Sequence, residues 1–224
     1  MTRQTPETLR EIIGRLPTTR YEDWKYTDLR PIVEISNRWL AEPAPRADAP
    51  ALDTAVAEIS KAAEADWLII VNGRVDADTL AVLSGAGITV SLLSNSDVVL
   101  ESALPLTQLN TALLQDGLRI QIDANAELRR PIGLLLLDDS TSSAGVSHAR
   151  INIEVAANAR ASIVEYHVSL GDAPHYANSV IDLALAPGAY VADLGSGGGY
   201  FTWPLVAAVG ESGRVYAIDV DPEM

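Results

Sequence analysis

Three similar stretches of sequence decide the fold: Ile120-Gln-Ile-Asp-Ala-Asn-Ala-Glu-Leu128, Ile151-Asn-Ile-Glu-Val-Ala-Ala-Asn-Ala159 and Ile181-Asp-Leu-Ala-Leu-Ala-Pro-Gly-Ala189. Each alternates apolar and polar residues and then reaches a corner of small residues, Asn or Gly, and their starts are 31 and 30 residues apart. Further strand-like stretches, 132–137 and 161–168, lie between them. A unit of strand, corner and strand that returns at a fixed period is typical of a solenoid. The pattern predicts the start of a β-helix over residues 117–189, with a meander or sandwich of short strands as the alternative.

The residues before this region mix helical and strand patterns, and they predict an α+β N-terminal domain over residues 1–116. Apolar residues in helical phase predict helices, and short apolar runs beside turn residues predict strands. Three prolines make residues 42–50 a semi-rigid linker inside this domain. The predicted helices cover 5–13, 52–65 and 106–114, and the predicted strands cover 67–71 and 88–93.

The charge balance limits the partners that the chain can bind. Sixteen Lys and Arg residues against thirty Asp and Glu residues give the 224-residue chain a net charge of −14. An acidic surface repels nucleic acid and anionic lipid, so neither is expected as a main partner. No apolar run reaches the roughly 18 residues of a membrane span, and the polar N-terminus lacks the apolar segment of a secretory signal. We therefore expect a cytoplasmic protein.

The absence of cysteine excludes several kinds of site. These are a disulfide framework, a thiolate-bound zinc or iron–sulfur cluster held by this chain alone, and a cysteine nucleophile. Nitrogen ligands are limited to His148, His167 and His175, which lie on different predicted strands and loops without the spacing of a ligand pair. We therefore expect ordinary surface or hydrogen-bonded histidines and no metal site.

Two other groups of residues invite a functional interpretation. Tyr21, Trp24 and Tyr26 could form a binding platform, but packing of the N-terminal domain against the predicted solenoid is the favoured interpretation. Residues 138–143, Asp-Asp-Ser-Thr-Ser-Ser, could bind a cation, but here a solvated loop is favoured.

The C-terminal residues 190–224 have the pattern of a nucleotide-binding β–α–β unit. A strand leads into the glycine-rich turn Asp193-Leu-Gly195-Ser-Gly197-Gly-Gly199, which opens a helix, and Asp219 ends the next strand. Glycines let the backbone approach a ligand, and a carboxylate at the second strand binds ribose hydroxyls. About residues 187–224 resemble the first β–α–β unit of a class I S-adenosylmethionine-dependent methyltransferase. By that resemblance, Asp193 and the three glycines would line the methionine side of S-adenosylmethionine, and Asp219 would bind the ribose.

A second resemblance covers about residues 5–189. It starts with Arg20-Tyr-Glu-Asp-Trp-Lys-Tyr-Thr-Asp-Leu29, preceded by Leu16-Pro-Thr18. It continues in the short matches 71–74 (Val-Asn-Gly-Arg), 109–112 (Leu-Asn-Thr-Ala), 116–118 (Asp-Gly-Leu), 130–132 (Arg-Pro-Ile) and 149–155 (Ala-Arg-Ile-Asn-Ile-Glu-Val). In these features the chain resembles the SufB/SufD family, and most closely its SufD members. The family forms the scaffold of the SUF iron–sulfur cluster assembly system.

This resemblance implies a non-enzymatic scaffold with a helical N-terminal domain and a right-handed parallel β-helix, which binds a SufB-like chain. Family members are longer and end in further β-helix turns and a helical segment that binds the ATPase SufC. We expect neither feature here, so the β-helix is expected to be truncated. No cluster-site residue can be assigned, and an iron–sulfur cluster is expected only in a complex with partners.

The two resemblances together predict a truncated SufD-like scaffold joined near residues 186–189 to a methyltransferase-like fragment. Two alternatives stay open. The chain could be an S-adenosylmethionine-dependent methyltransferase with a long accessory N-terminus, or a fused gene product without activity.

Overall fold

A computed structural model describes residues 6–39, 49–62, 64–81, 83, 85, 87–93, 98, 104–141, 143–194 and 202–218. Its helices are α1 (Pro6–Gly14), α2 (Arg30–Trp39), α3 (Ala49–Ala62), α4 (Pro105–Leu113) and α5 (Thr202–Val209), with short 3-10 helices at Glu22–Trp24 and Ala77–Ala81. Its strands are β1 (Asp66–Val71), β2 (Arg74–Val75), β3 (Ile88–Leu92), β4 (Asp116–Ile122), β5 (Ile132–Asp139), β6 (Gly145–Val155), β7 (Ile163–Leu170), β8 (His175–Leu185), β9 (Tyr190–Leu194) and β10 (Arg214–Ile218). The predicted linker lies outside the described residues as far as residue 48, and α3 begins at its end.

The chain alternates between two four-stranded sheets. Sheet A has the strand order β2-β1-β5-β7, and sheet B has the order β3-β4-β6-β8. Strands β4, β5 and β6 each pair in parallel with the strand two steps later in the chain, as in Ile132 with Ile163 and Ile151 with Ile181. The segments that begin at 120, 151 and 181 in the sequence pattern therefore lie side by side in sheet B.

Both sheets continue into the N-terminal part of the chain. Strand β1 pairs in parallel with β5, and β3 pairs antiparallel with β4. The predicted domain boundary between residues 116 and 117 therefore runs through both sheets, and strands from either side of it share one core.

The main core lies between the two sheets. It is built from the alternate residues of each strand that face the opposite sheet, because successive side chains on a strand point to opposite faces. Sheet A contributes Leu68, Ile70, Ile132, Leu134 and Leu136, and sheet B contributes Leu118, Ile120, Ile122, Ala149, Ile151 and Ile153. Burial of these side chains supplies the main driving force that holds the two sheets together.

Helices cover the outer faces of the sheets. Trp67, Ile69 and Leu135 on the outer face of sheet A form a cluster with Val56 and Ile59 of α3. On the outer face of sheet B, Leu109 of α4 and the partly buried Tyr176 lie in a second cluster. This cluster also contains apolar side chains of α1, of α2 and of the segment between them: Leu9, Ile12, Ile13, Leu16, Leu29, Ile32 and Val33. The helices thus fix the sheets from outside while the core fixes them from inside.

The corners that follow strands β4, β6 and β8 have left-handed backbone. Asn125 (φ 62°), Asn158 (φ 60°) and Gly188 (φ 83°) have positive φ, a region that L side chains other than Asn and Asp seldom adopt. The backbone N–H of Asn125 donates to the carbonyl of Ala157 at 3.0 Å, and Nδ2 of Asn158 donates to Oδ1 of Asn125 at 3.2 Å. The first two corners are therefore stacked, and the backbone conformation explains the Asn and Gly of the sequence pattern.

A separate pair of parallel strands follows the two sheets. Strand β9 pairs with β10, and α5 lies between them in the chain. These elements lie within residues 190–224, where the methyltransferase-like β–α–β unit stays a prediction, and residues 195–201 and 219–224 lie outside the described part of the chain. No helix within the described ranges is both long enough and apolar enough to cross a membrane.

Candidate functional site

Strands β7 and β8 form the outer edges of the two sheets, and we call them the open edge. Within the described part of the chain, no further strand pairs with them. The N–H of Ile132 donates to Ser162 at 2.9 Å, and that of Ser140 donates to Leu170 at 2.7 Å. Strand β5 therefore bonds the even-numbered residues of this segment, and the backbone N–H and C=O groups of residues 163, 165, 167 and 169 point outward.

Apolar side chains accompany these backbone groups. Ile163, Val164 and Tyr166 of β7 are exposed, although the paired strand β5 is buried along its whole length. A strand edge with free hydrogen-bonding groups and apolar side chains is a template for pairing with another strand. The open edge is therefore the candidate interaction site of the molecule.

The side chains at the core positions of sheet A change from apolar to titratable at this edge. Leu134 and Leu136 are buried between the sheets, and their partners on β7 are Glu165 and His167. Residues that pair directly across parallel strands share a face, so Glu165 and His167 occupy the core positions of the last layer. Two apolar columns of the core therefore end in titratable side chains.

Glu165 and His167 form a pair. Nε2 of His167 lies 2.6 Å from Oε1 of Glu165, and both side chains are partly exposed. The hydrogen bond to Glu165 raises the pKa of His167 above its ordinary value, although desolvation acts in the opposite direction. The charges of Glu165 and Asp138 add to the increase. His167 therefore retains its proton to higher pH than a free histidine.

Asp138 lies one layer below this pair and connects the two sheets. Its Oδ1 accepts a hydrogen bond from Oγ of Ser147 at 2.6 Å and lies 3.1 Å from Nε2 of His175. The same His175 nitrogen is 3.5 Å from Oγ of Ser147. A small cavity of about 10 Å³ lies between the sheets and is lined by Asp138, Ser147, His167 and Ser179 among others. The end of the core thus contains a polar, titratable cluster.

The structure corrects one interpretation of this region and refines another. A solvated loop is the expectation for residues 138–143, but Asp138, Asp139 and Ser140 are buried, because β5 extends through Asp139. Thr141 and Ser143 are exposed, as expected. His167 and His175, which lack ligand spacing in the sequence, both lie near Asp138. The expectation of hydrogen-bonded histidines agrees with their contacts, and the described residues include no group of three or more His, Cys, Asp or Glu side chains placed to bind a metal ion.

Sequence reasoning did not single out Glu165 and Ser147. A signal for Glu165 is present in the 31-residue period, because Glu165 follows Leu134 by 31 residues. A carboxylate at the position that is Leu134 one repeat earlier departs from the repeat, and here it marks the layer where the apolar core ends.

The segment 71–74 has a structural role beside this cluster. The side chain of Asn72 accepts a hydrogen bond from the N–H of Asp139 at 2.8 Å and donates to the carbonyl of Asp139 at 3.2 Å. Gly73 has φ 74°, and a Cβ there would lie 2.9 Å from N and 3.0 Å from O of His148. Asn72 thus ties the β1–β2 turn to β5, and Gly73 allows the turn to approach β6.

The segment 109–112 attaches α4 to sheet B. Nδ2 of the buried Asn110 donates to the carbonyls of Ala149 at 2.8 Å and Asn178 at 2.6 Å. Arg150, whose side chain is almost fully buried, donates to Asp182 at 2.6 Å and to Thr111 at 3.1 Å. The Asn and Arg of the short sequence matches therefore position a helix against two successive strands.

The outer face of sheet B also buries titratable side chains beneath α4. His148 is 2% exposed, and its burial lowers its pKa to about 3. Tyr176 meets it edge to face at 6.0 Å between ring centroids, and burial raises the pKa of Tyr176 to about 12. Both groups are therefore uncharged at neutral pH.

The three aromatic residues of the N-terminal motif have different environments. Trp24 packs against the helical cluster, whereas Tyr21 is 63% exposed and Tyr26 is 91% exposed. Lys25 forms an ion pair with Glu22 and lies over the ring of Tyr26, 5.0 Å from its centroid. Trp24 therefore packs within the helical cluster, its packing against the predicted solenoid stays a prediction, and the two tyrosines face solvent.

The C-terminal candidate site is described only in part. Asp193 lies on β9, and its Oδ2 accepts a hydrogen bond from Oγ1 of Thr202 in α5 at 2.7 Å. Gly195, Gly197, Gly199 and Asp219 lie outside the described residues. The structure therefore shows how Asp193 contacts the first turn of the helix, and leaves the rest of the predicted S-adenosylmethionine site as a prediction.

No family model matches the chain. The chain is 25% identical over 183 residues to the iron–sulfur cluster assembly protein SufD of Escherichia coli (strain K12), an alignment that covers 79% of this chain and 41% of that protein. The chain therefore spans about two fifths of the length of this relative. This similarity is to a SufD protein, and it gives no support to a methyltransferase fragment.

Proposed function

We propose that this chain is a SufD-like, non-enzymatic scaffold component of iron–sulfur cluster assembly. The observation that carries the proposal is the similarity to SufD over 183 residues. The cluster would be the cargo of the assembly, and because this chain has no cysteine, thiolate ligands would come from partner chains. The cytoplasmic location expected from the sequence is part of the same proposal.

The proposed fold is the beginning of a right-handed parallel β-helix. It is supported by the parallel pairing of β5 with β7, of β4 with β6 and of β6 with β8, which recurs about every 30 residues. In a solenoid each turn contacts only its neighbours, so an end turn with free backbone groups accepts a further layer. The proposed partner is a SufB-like chain that pairs with the open edge.

A proline in the open edge tests this mode of binding. The N–H of Ser169 points outward, so Ser169→Pro removes a hydrogen-bond donor of the open edge and none that bonds β5. Ser169→Ala is the matched control, because it retains the donor. We expect a SufB-like chain, co-expressed with the protein, to co-purify with wild type and Ser169→Ala but at least about tenfold less with Ser169→Pro. Equal recovery with all three would exclude edge pairing, and no recovery with any would contradict the scaffold proposal.

A second candidate function is S-adenosylmethionine binding by residues 190–218. The observation that favours it is the parallel β9–α5–β10 unit, in which Asp193 lies at the carboxyl end of the first strand, where such folds bind nucleotides. Calorimetric titration with S-adenosylmethionine tests it. Saturable binding that is lost in Asp219→Ala would support this function, and the absence of heat in wild type would exclude it.

A further inference from the structure

The end layer of the core has two halves of different chemistry. In the apolar half, Ile163 of β7 continues the column that begins with buried Ile132. In the other half, Glu165 and His167 lie over Leu134 and Leu136. The layer therefore has a surface that changes its charge with pH at the place where an apolar core would otherwise be open to solvent or to a partner.

The charged and titratable groups that face His167 come from three strands. Glu165 lies on the same strand, with its carboxylate 2.6 Å from Nε2 of His167. Asp138 of β5 lies below and acts on His167 through its charge. His175 of β8 lies across the layer and contacts Asp138 at 3.1 Å. The hydroxyl of Ser147 on β6 completes the set by donating to Asp138.

The protonation state of His167 sets the net charge of this cluster. When His167 is protonated, its positive charge lies next to the Glu165 carboxylate and close to that of Asp138. When it is neutral, two carboxylates remain at the end of the core, and each lies near an apolar layer where a charge is poorly solvated. Strand β7 depends on this balance because, in the described structure, β5 is the only strand that pairs with it.

We infer that His167, paired with Glu165 on its own strand and facing Asp138 of β5, is a pH-sensitive lock that holds β7 in place and thereby controls the order of the open edge. The inference rests on the proposed docking function of that edge and adds its regulation. The pKa of His167 is raised in the folded chain, so the stabilisation is present below the ordinary histidine pKa of about 6.5 and is lost as pH rises through the folded value. The open edge is therefore most ordered in mildly acidic solution and loosens at alkaline pH.

Amide hydrogen exchange of the isolated chain between pH 5.5 and 8.5 tests the lock, with protection factors corrected for the intrinsic effect of pH. Protection of β7 relative to β5 should fall roughly twofold to fivefold over this range in wild type, which is modest because the pair is partly exposed. In His167→Gln and Glu165→Gln the ratio should not change with pH. Asp172→Asn removes an exposed carboxylate from the β7–β8 turn, and this control should behave as wild type does.

Two results would overturn the lock: a β7-to-β5 ratio that does not change with pH in wild type, or an equal pH dependence in His167→Gln. Capture of a SufB-like chain at pH 6 and pH 8.5 then tests the link to docking. Stronger capture at pH 6 in wild type but not in His167→Gln supports it, and equal capture at both pH values contradicts it. Capture at neither pH, together with an intact pH dependence of exchange, contradicts the proposed function while the lock itself stands.

Discussion

Replacement of Asn110 by Ala tests whether α4 is held to sheet B by side-chain hydrogen bonds. The side chain donates two hydrogen bonds to main-chain carbonyls of successive strands, those of Ala149 and Asn178, and the residue is fully buried. Each buried hydrogen bond contributes about 1 kcal/mol, and leaving its acceptor without a partner costs a further 1–3 kcal/mol at most. We expect Asn110→Ala to lower the free energy of unfolding by about 3 kcal/mol.

Urea denaturation followed by circular dichroism and tryptophan fluorescence measures this loss. With a slope of about 3 kcal/mol per molar urea for a chain of this size, the midpoint should fall by about 1 M. Asn110→Asp retains the shape but directs a carboxylate at two carbonyl oxygens, so it should destabilise at least as much. Thr107→Ala, on the same helix, is the control and should be close to neutral because Ala is a good helix former. If Asn110→Ala lies within about 0.5 kcal/mol of this control, the hydrogen bonds do not hold α4 in place.

Two further predictions follow from buried positions on β6 and the turn beside it. Gly73→Ala should lower the free energy of unfolding by about 2–4 kcal/mol, because the new Cβ would lie in a left-handed turn against the backbone of His148. Thermal unfolding measures this loss, and Gly85→Ala, whose new Cβ meets no atom within 4 Å, is the control and should be nearly neutral. Equal losses in the two variants would contradict the steric argument. His148 has a folded pKa of about 3, below its unfolded value, so it should destabilise the fold progressively as pH falls from about 6.5 towards 3, by up to about 1.4 kcal/mol per pH unit. His148→Phe should reduce that slope in urea denaturation between pH 4 and 6.5, and an unchanged slope would show that His148 is not the group responsible.

The sequence pattern anticipated the layered pairing because it is local and periodic. The alternation at 120–122, 151–155 and 181–185 places apolar side chains on one face, and the positive-φ corners require Asn or Gly, so both appear as a repeat of about 30 residues. The partners of β1 and β3 were not predictable in this way. Their pairing with β5 and β4 joins segments that share no repeat, and only the tertiary packing specifies it.

The polar cluster at the open edge was less predictable than the fold. Asp138 and Asp139 precede Ser and Thr residues, and this composition is typical of exposed loops. Their burial results from contacts with residues far along the chain, such as the bond from Asp139 to Asn72, 67 residues away. The composition of this segment reflects only its local preference, whereas contacts with residues far along the chain bury Asp138 and Asp139.

The stacked corners at Asn125 and Asn158 have a consequence for how such a chain can change in evolution. Both corners follow a strand of sheet B, β4 or β6, and lead into a strand of sheet A, β5 or β7, so the chain passes from one sheet to the other at equivalent places. A cassette of about 30 residues can therefore be duplicated or deleted by unequal recombination without reshaping its neighbours, provided that the cut falls at equivalent corners. Length variation within such a lineage should then occur in whole circuits, and breakpoints within a strand should be selected against.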